Sequence, residues 1–113
     1  MADVVYINFE DGLKRVMNNK GLFVKLLRKF IDDNSMTELD AALAEKDLEK
    51  AKTVIHTLKG VAGNLSFTEL AAKSLELEMQ LKAGEASPEL VELVKKVYSV
   101  TKDEAEKVIA QNG

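Results

Sequence analysis

The chain lacks cysteine and tryptophan, and its 113 residues include one proline, one histidine and only 5% aromatics. Without cysteine there can be no disulfide framework, thiolate metal site or thiol nucleophile. That suits a reducing compartment, with the cytoplasm as the default. No run approaches the ~20 apolar residues of a membrane span, and Met1-Ala2-Asp3-Val4-Val5-Tyr6 lacks the basic start and long apolar stretch of a signal peptide. A soluble protein with no membrane partner is expected. The 16 basic and 19 acidic residues leave a formal charge of −3. They are interspersed along the chain, so no cationic stripe for a phosphate backbone is expected, nor nucleic acid as a partner.

What is abundant is Ala, Leu, Lys and Glu, all helix formers. The length suits one domain over residues 1–113 with a core of its own. Asn8 can cap a short helix over Phe9–Met17, which Asn18-Asn19-Lys20-Gly21 breaks. From Leu22 the residues Leu22, Phe23, Leu26, Leu27, Phe30 and Ile31 recur at helical spacing, and the pattern resumes at Met36, Leu39, Ala42 and Leu43. Ser35 and Glu38 have the form of a capping box, which argues for a break near Asp32-Asp33-Asn34, while propensity also allows one continuous helix.

Asp47 caps a further helix with the stripe Leu48, Ala51, Ile55, Leu58, Ala62 and Leu65. Ser66-Phe67-Thr68-Glu69 reads as a second capping box, starting a helix that uses Leu70, Ala71, Leu75, Leu77, Met79 and Leu81. So short a turn forces these two helices into antiparallel contact. Ser87-Pro88-Glu89 opens the last helix, with Leu90, Leu93, Val94, Val97, Val100, Val108 and Ile109 on its buried side. The leucine, valine and methionine stripes are expected in the core. The fold expected is all-α: an antiparallel up-down four-helix bundle with an additional short N-terminal helix.

The lone histidine stands in His56-Thr57-Leu58-Lys59-Gly60-Val61-Ala62-Gly63-Asn64-Leu65. At i, i+3, i+4 and i+7, His56, Lys59, Gly60 and Gly63 share one helix face. Each interior glycine costs roughly 0.8–1.0 kcal/mol against alanine, so that face has a use for bare backbone. An ammonium one turn from an imidazole suits a residue that acquires a phosphoryl group, because Lys59 can pair with its oxygens. Gly60 removes the side chain that would hold an incoming active site away. Two other classes compete: a non-catalytic helical adapter, whose glycines let a partner helix lie close, and a metal or haem bundle with His56 as ligand. One histidine, no cysteine and no Glu-x-x-His repeats count against the latter. No Walker loop, glycine-rich nucleotide fold or dense acidic metal cluster is present, so neither ATP binding nor autonomous kinase activity is expected.

His-x-Leu-Lys-Gly followed by small residues and Asn64-Leu65 resembles the signature of the histidine-containing phosphotransfer (HPt) domain of two-component phosphorelays, and Leu77-Glu78 matches the family's next helix. The resemblance extends over nearly the whole chain, with Val54–Glu78 its specific part. It implies His56 as phosphoacceptor through Nε2, Lys59 stabilising the phosphate, Gly60 giving access to a partner's aspartate, and Glu78 holding Nδ1. Gly63 and Asn64 would belong to the docking surface, and Lys82, one turn beyond Glu78, could face the same phosphate. The implied partners are response-regulator receiver domains and a sensor histidine kinase. The chain would act as a monomer without a cofactor of its own, magnesium belonging to the receiver. Two positions depart from the family pattern: Ser66 stands where glycine is common, and Ile55 where a small residue is frequent. Exposed apolar residues of the second and third helices are expected to complete the docking surface.

Overall fold

A computed structural model describes residues 5–112; residues 1–4, part of the stretch expected not to be a leader, and residue 113 lie outside it. Six helices and no strand occur among the described residues: α1 (Phe9–Arg15), α2 (Lys20–Ile31), α3 (Ser35–Ala44), α4 (Leu48–Asn64), α5 (Thr68–Lys82) and α6 (Pro88–Asn112). No helix among them is long and apolar enough to cross a membrane.

Asn8 caps α1 as expected, accepting from Asp11 N at 3.1 Å. The helix stops at Arg15 rather than Met17, because Met17 and Asn18 take left-handed φ values of 56° and 60°. Asn19 then accepts from Leu22 N at 3.0 Å, so Lys20 and Gly21 open α2 instead of separating two helices.

The second hydrophobic stretch is two helices. Asp33, not a Ser35 capping box, makes the junction: its Oδ2 accepts from Ser35 N at 2.8 Å and from the Tyr98 hydroxyl at 2.6 Å. Lys102 Nζ donates to the Asp33 carbonyl at 2.7 Å. Ser35 is the first residue of α3 and is buried. Together α2 and α3 form a single corner of the bundle, running in succession antiparallel to α6. Arg28 lies beside Ile109, Asp33 beside Tyr98, Asp40 beside Lys95 and Leu43 beside Val91. The other corners are α4, α5 and α6; α4 packs on α3 and α5, and α5 packs on α6. The architecture is thus a four-helix bundle with a divided corner, and α1 lies against α2.

At the centre, Phe30 of α2 meets Phe67 with ring centroids 4.7 Å apart and Tyr98 of α6 at 5.5 Å. Such pairs contribute about 0.5–1.5 kcal/mol beyond the area they bury. Phe67 belongs to the α4–α5 turn, where the expected capping box does not form. Ser66 has φ 59°, Phe67 is the N-cap of α5, and no side chain caps that helix. The Ser66 hydroxyl instead donates to Asp11 Oδ2 and accepts from Arg15 Nε at 3.1 Å, tying the turn to α1. A left-handed backbone at this position is one that glycine adopts without the steric penalty a side chain brings.

In α5 the buried positions are Leu70, Ser74, Leu77, Glu78 and Leu81. Leu75 and Met79, expected in the core, are 45% and 62% exposed. Leu22 of α2 and Leu93 of α6 likewise face outward, at 41% and 39%. On α6 the core residues are Val91, Val94, Val97, Tyr98, Thr101 and Ala105, a stripe rotated from the one the aliphatic residues alone suggest.

Candidate functional site

Asp47 starts α4 by accepting from Lys50 N at 3.0 Å, and Ala51, Val54, Ile55, Leu58 and Ala62 bury its inner face. One residue past Ile55, the His56 side chain emerges at the rim and is 68% exposed. The short antiparallel turn brings α5 alongside, so a residue 22 positions later meets it: Glu78 Oε2 lies 2.6 Å from His56 Nδ1. The other oxygen, Oε1, accepts from Lys59 Nζ at 2.5 Å. Glu78 is 2% exposed and occupies the core stripe beside Leu77.

A buried carboxylate is tolerable only with partners for its charge. Here the Lys59 ammonium, foremost, and the His56 imidazole hold the Glu78 carboxyl below the usual carboxylate range, outweighing burial, which acts in the opposite sense. An ionised carboxylate can only accept, so Nδ1 of the ring is the donor. In the neutral ring the lone pair then stands on Nε2, the nitrogen turned away from Glu78. Lys59, expected to stabilise the phosphate, is paired with the same carboxylate and is 29% exposed.

A β-carbon built on Gly60 or Gly63 meets nothing within 4 Å, so neither glycine is required by packing inside the molecule. Gly12 is the contrasting case, where an added carbon would lie 2.6 Å from the Phe23 ring. Asn64 ends α4 and is exposed, one turn beyond Gly60. Lys82 ends α5, is exposed, and forms no ion pair among the described residues. The structure therefore unites His56, Lys59 and Glu78 directly, places Gly60 and Gly63 as open backbone on their side of α4, and leaves Asn64 and Lys82 at the periphery.

On the α2 side, a groove of about 490 Å³ opens between the end of α1, α2 and the last turn of α4, lined by Val16, Leu26, Phe30, Val61 and Leu65 among others. Its charged lining is Arg15, Lys29 and Asp33. The overall charge totals conceal this basic side: residues 12–31 contain six cations and no acid, a run readable in the sequence. No group of three or more His, Asp or Glu suited to a metal occurs among the described residues.

The fold matches two solved structures. Histidine-containing phosphotransfer protein B of Pseudomonas aeruginosa PAO1 superposes with a TM-score of 0.86 at 20% identity, covering 96% of this chain and 98% of that one. The HPT domain of a sensor hybrid histidine kinase from Shewanella gives 0.82 at 16% identity, covering 94% and 95%. No match is found among the curated proteins. The family model of the Hpt domain matches residues 25–110, most of the length and all of the His56–Glu78 site, and the chain belongs to the Hpt domain family.

Proposed function

We propose that this chain is a phosphocarrier of a two-component phosphorelay, with His56 Nε2 as the atom that receives and returns the phosphoryl group. One observation carries the assignment: an imidazole that is 68% exposed has one ring nitrogen, Nδ1, 2.6 Å from a buried carboxylate, which leaves Nε2 as the nitrogen turned away from it. The Nε2 lone pair attacks the phosphorus of a receiver's aspartyl phosphate. The N–P bond forms as the aspartyl O–P bond breaks, and the electron pair of that bond leaves with the aspartate as carboxylate. The ring keeps its Nδ1 proton and becomes cationic, and Glu78 faces that charge. Return to a second receiver reverses these steps.

Positioning and charge neutralisation carry such transfers. Lys59, on a flexible stem, can turn from Glu78 toward the phosphoryl oxygens. Gly60 and Gly63 leave room for the receiver's aspartate loop. The magnesium ion of the reaction is assigned to the receiver; among the described residues no group of three or more His, Asp or Glu suited to a metal occurs. With no nucleotide-binding loop in its sequence, the chain depends on a sensor kinase and receivers for phosphate. It works in the cytoplasm as a monomer, its one domain leaving the His56 face open.

The test is incubation with phosphorylated receivers or a kinase relay. Acid-labile, base-stable phosphate on the wild type that vanishes in His56→Gln supports the carrier. A stable complex with a receiver and no label on His56 would make the chain an adapter instead.

A further inference from the structure

Ser74 of α5 is 0% exposed, and among the described residues its Oγ is the one buried side-chain atom without a hydrogen-bond partner. A buried hydroxyl left unpaired weakens a fold, so it calls for a reason. The hydroxyls of Ser66, Tyr98 and Thr101 are all bonded, and Thr101, equally buried, donates to the Val97 carbonyl one turn back at 2.7 Å. Ser74 does not make the equivalent bond. Nor does packing require an oxygen there, since alanine would sit between these helices with no unmet donor.

The next residue along the same row of α5 is Glu78, one turn on and also buried. Side chains on a helix lean toward its N-terminus, so the Glu78 carboxylate lies back over the turn that carries Ser74. The pairing of α4 with α5 tells which oxygen is on that side. These helices are antiparallel, so Lys59 stands nearer their connection than His56, just as Ser74 stands nearer to it than Glu78. Oε1, held by Lys59 at 2.5 Å, is therefore the oxygen on the Ser74 side, and Oε2, held by His56, is the far one. With each oxygen already paired, the Ser74 hydroxyl is left over.

We propose that Ser74 is a positioning residue that takes over Oε1 of Glu78 when Lys59 turns to the phosphoryl group on His56, its hydroxyl rotating to donate to the oxygen that the ammonium has left. This rests on the carrier reading and adds a residue to it. Without a substitute, the departure of Lys59 strands one oxygen of a carboxylate that is 2% exposed, while the other oxygen must stay fixed on Nδ1. With the Ser74 hydroxyl in its place, Lys59 is released more easily and Glu78 keeps its hold on the ring through the transfer. The donor that is unpaired in one state is paired in the other.

A double-mutant cycle in urea tests the contact without any phosphate. In the wild-type background Ser74→Ala should leave the unfolding equilibrium constant unchanged or lower it, because no hydrogen bond is lost. In Lys59→Met, where Oε1 has already lost its ammonium, the same change should raise that constant at least about tenfold, as for a hydrogen bond to a charged group. Equal effects in the two backgrounds overturn the proposal. A second measurement does not depend on Lys59→Met folding: wild type, Ser74→Ala and Ser74→Cys are labelled on His56 with the small donor phosphoramidate, the cysteine filling about the same space with a weak donor. Both Ser74 variants should label at least about fivefold more slowly than wild type. With a phosphorylated receiver as donor, the loss should fall on kcat and leave KM unchanged, since Ser74 is buried away from any partner. Wild-type rates in Ser74→Ala overturn the proposal, and so does recovery in Ser74→Cys, which would make the residue a spacer between helices. A wild-type protein that takes no label on His56 defeats the carrier reading instead, and the cycle in urea still decides whether Ser74 serves Glu78.

Discussion

Glu78 is a carboxylate where the α5 pattern calls for a hydrophobic residue, and its two oxygens serve two different groups. Replacing it with alanine leaves Lys59 without its counterion and frees the ring to change tautomer. In Glu78→Ala, ¹⁵N shifts of the neutral His56 ring should move from the Nδ1–H form toward Nε2–H, and phosphorylation should slow about tenfold or more, as for loss of other orienting groups. An unchanged tautomer would detach Glu78 from the mechanism. At Gly60 the structure separates stability from function. Gly60→Ala adds a carbon into open space and should stabilise the fold by up to about 1 kcal/mol in chemical denaturation. Gly60→Gln should fold as well yet transfer phosphate more slowly, and equal transfer rates would show that the open backbone is not used. The His56 face was legible in the sequence, because i, i+3, i+4 and i+7 place residues together through local geometry alone. That Lys59 rests on Glu78 was not, since it depends on how α5 is rotated against α4.

Among the connecting elements, the α4–α5 turn shows how one local signal can serve another purpose. Ser66 was expected to cap α5; in the folded chain its left-handed backbone reverses the direction and its hydroxyl reaches α1. Two terms then oppose each other: the left-handed conformation costs a non-glycine residue roughly 1–2 kcal/mol, while the hydrogen bonds to Asp11 and Arg15 offset part of that. Ser66→Ala keeps the strain and loses the bonds, whereas Ser66→Gly loses both. The glycine variant should therefore be the more stable of the two by about 1 kcal/mol, measured as the difference in urea unfolding free energies. Equal stabilities would mean that the backbone carries no strain there. The rotated stripe of α5 follows from the same competition between local pattern and assembly: Leu75 and Met79 have helical spacing and suitable side chains, yet α4 and α6 approach from the side of Leu70, Ser74 and Leu77.

Over the whole molecule, Asp33 ties the junction of the divided α2–α3 corner to α6. Burial alone would raise the Asp33 carboxyl, but the Tyr98 hydroxyl, Ser35 and Lys102 outweigh it and hold it below the usual range. Tyr98 is pushed upward, by burial first and by Asp33 next, and so remains a donor across the physiological range. A lowered carboxyl contributes stability that is complete above its unfolded value of about 3.9 and is lost as pH falls through the folded value. Asp33→Ala should thus cost about 1.5–3 kcal/mol at pH 7, as for hydrogen bonds to a charged group. Denaturation curves of variant and wild type should converge as the pH falls below about 4. A gap independent of pH would assign the loss to packing instead of the carboxylate.

What the sequence by itself determined was local: the caps at Asn8 and Asp47, the Ser87-Pro88 helix start, the all-helical class, and the shared face of His56, Lys59, Gly60 and Gly63. Each depends on residues within two turns of one another, where chain geometry leaves little freedom. Tertiary structure alone decided that Glu78 is buried under both His56 and Lys59, that Asp33 fastens the junction to α6, and that Leu75 and Met79 face outward. Helical periodicity establishes which side chains share a face, but which face meets a neighbour is settled only when all the helices pack around one core.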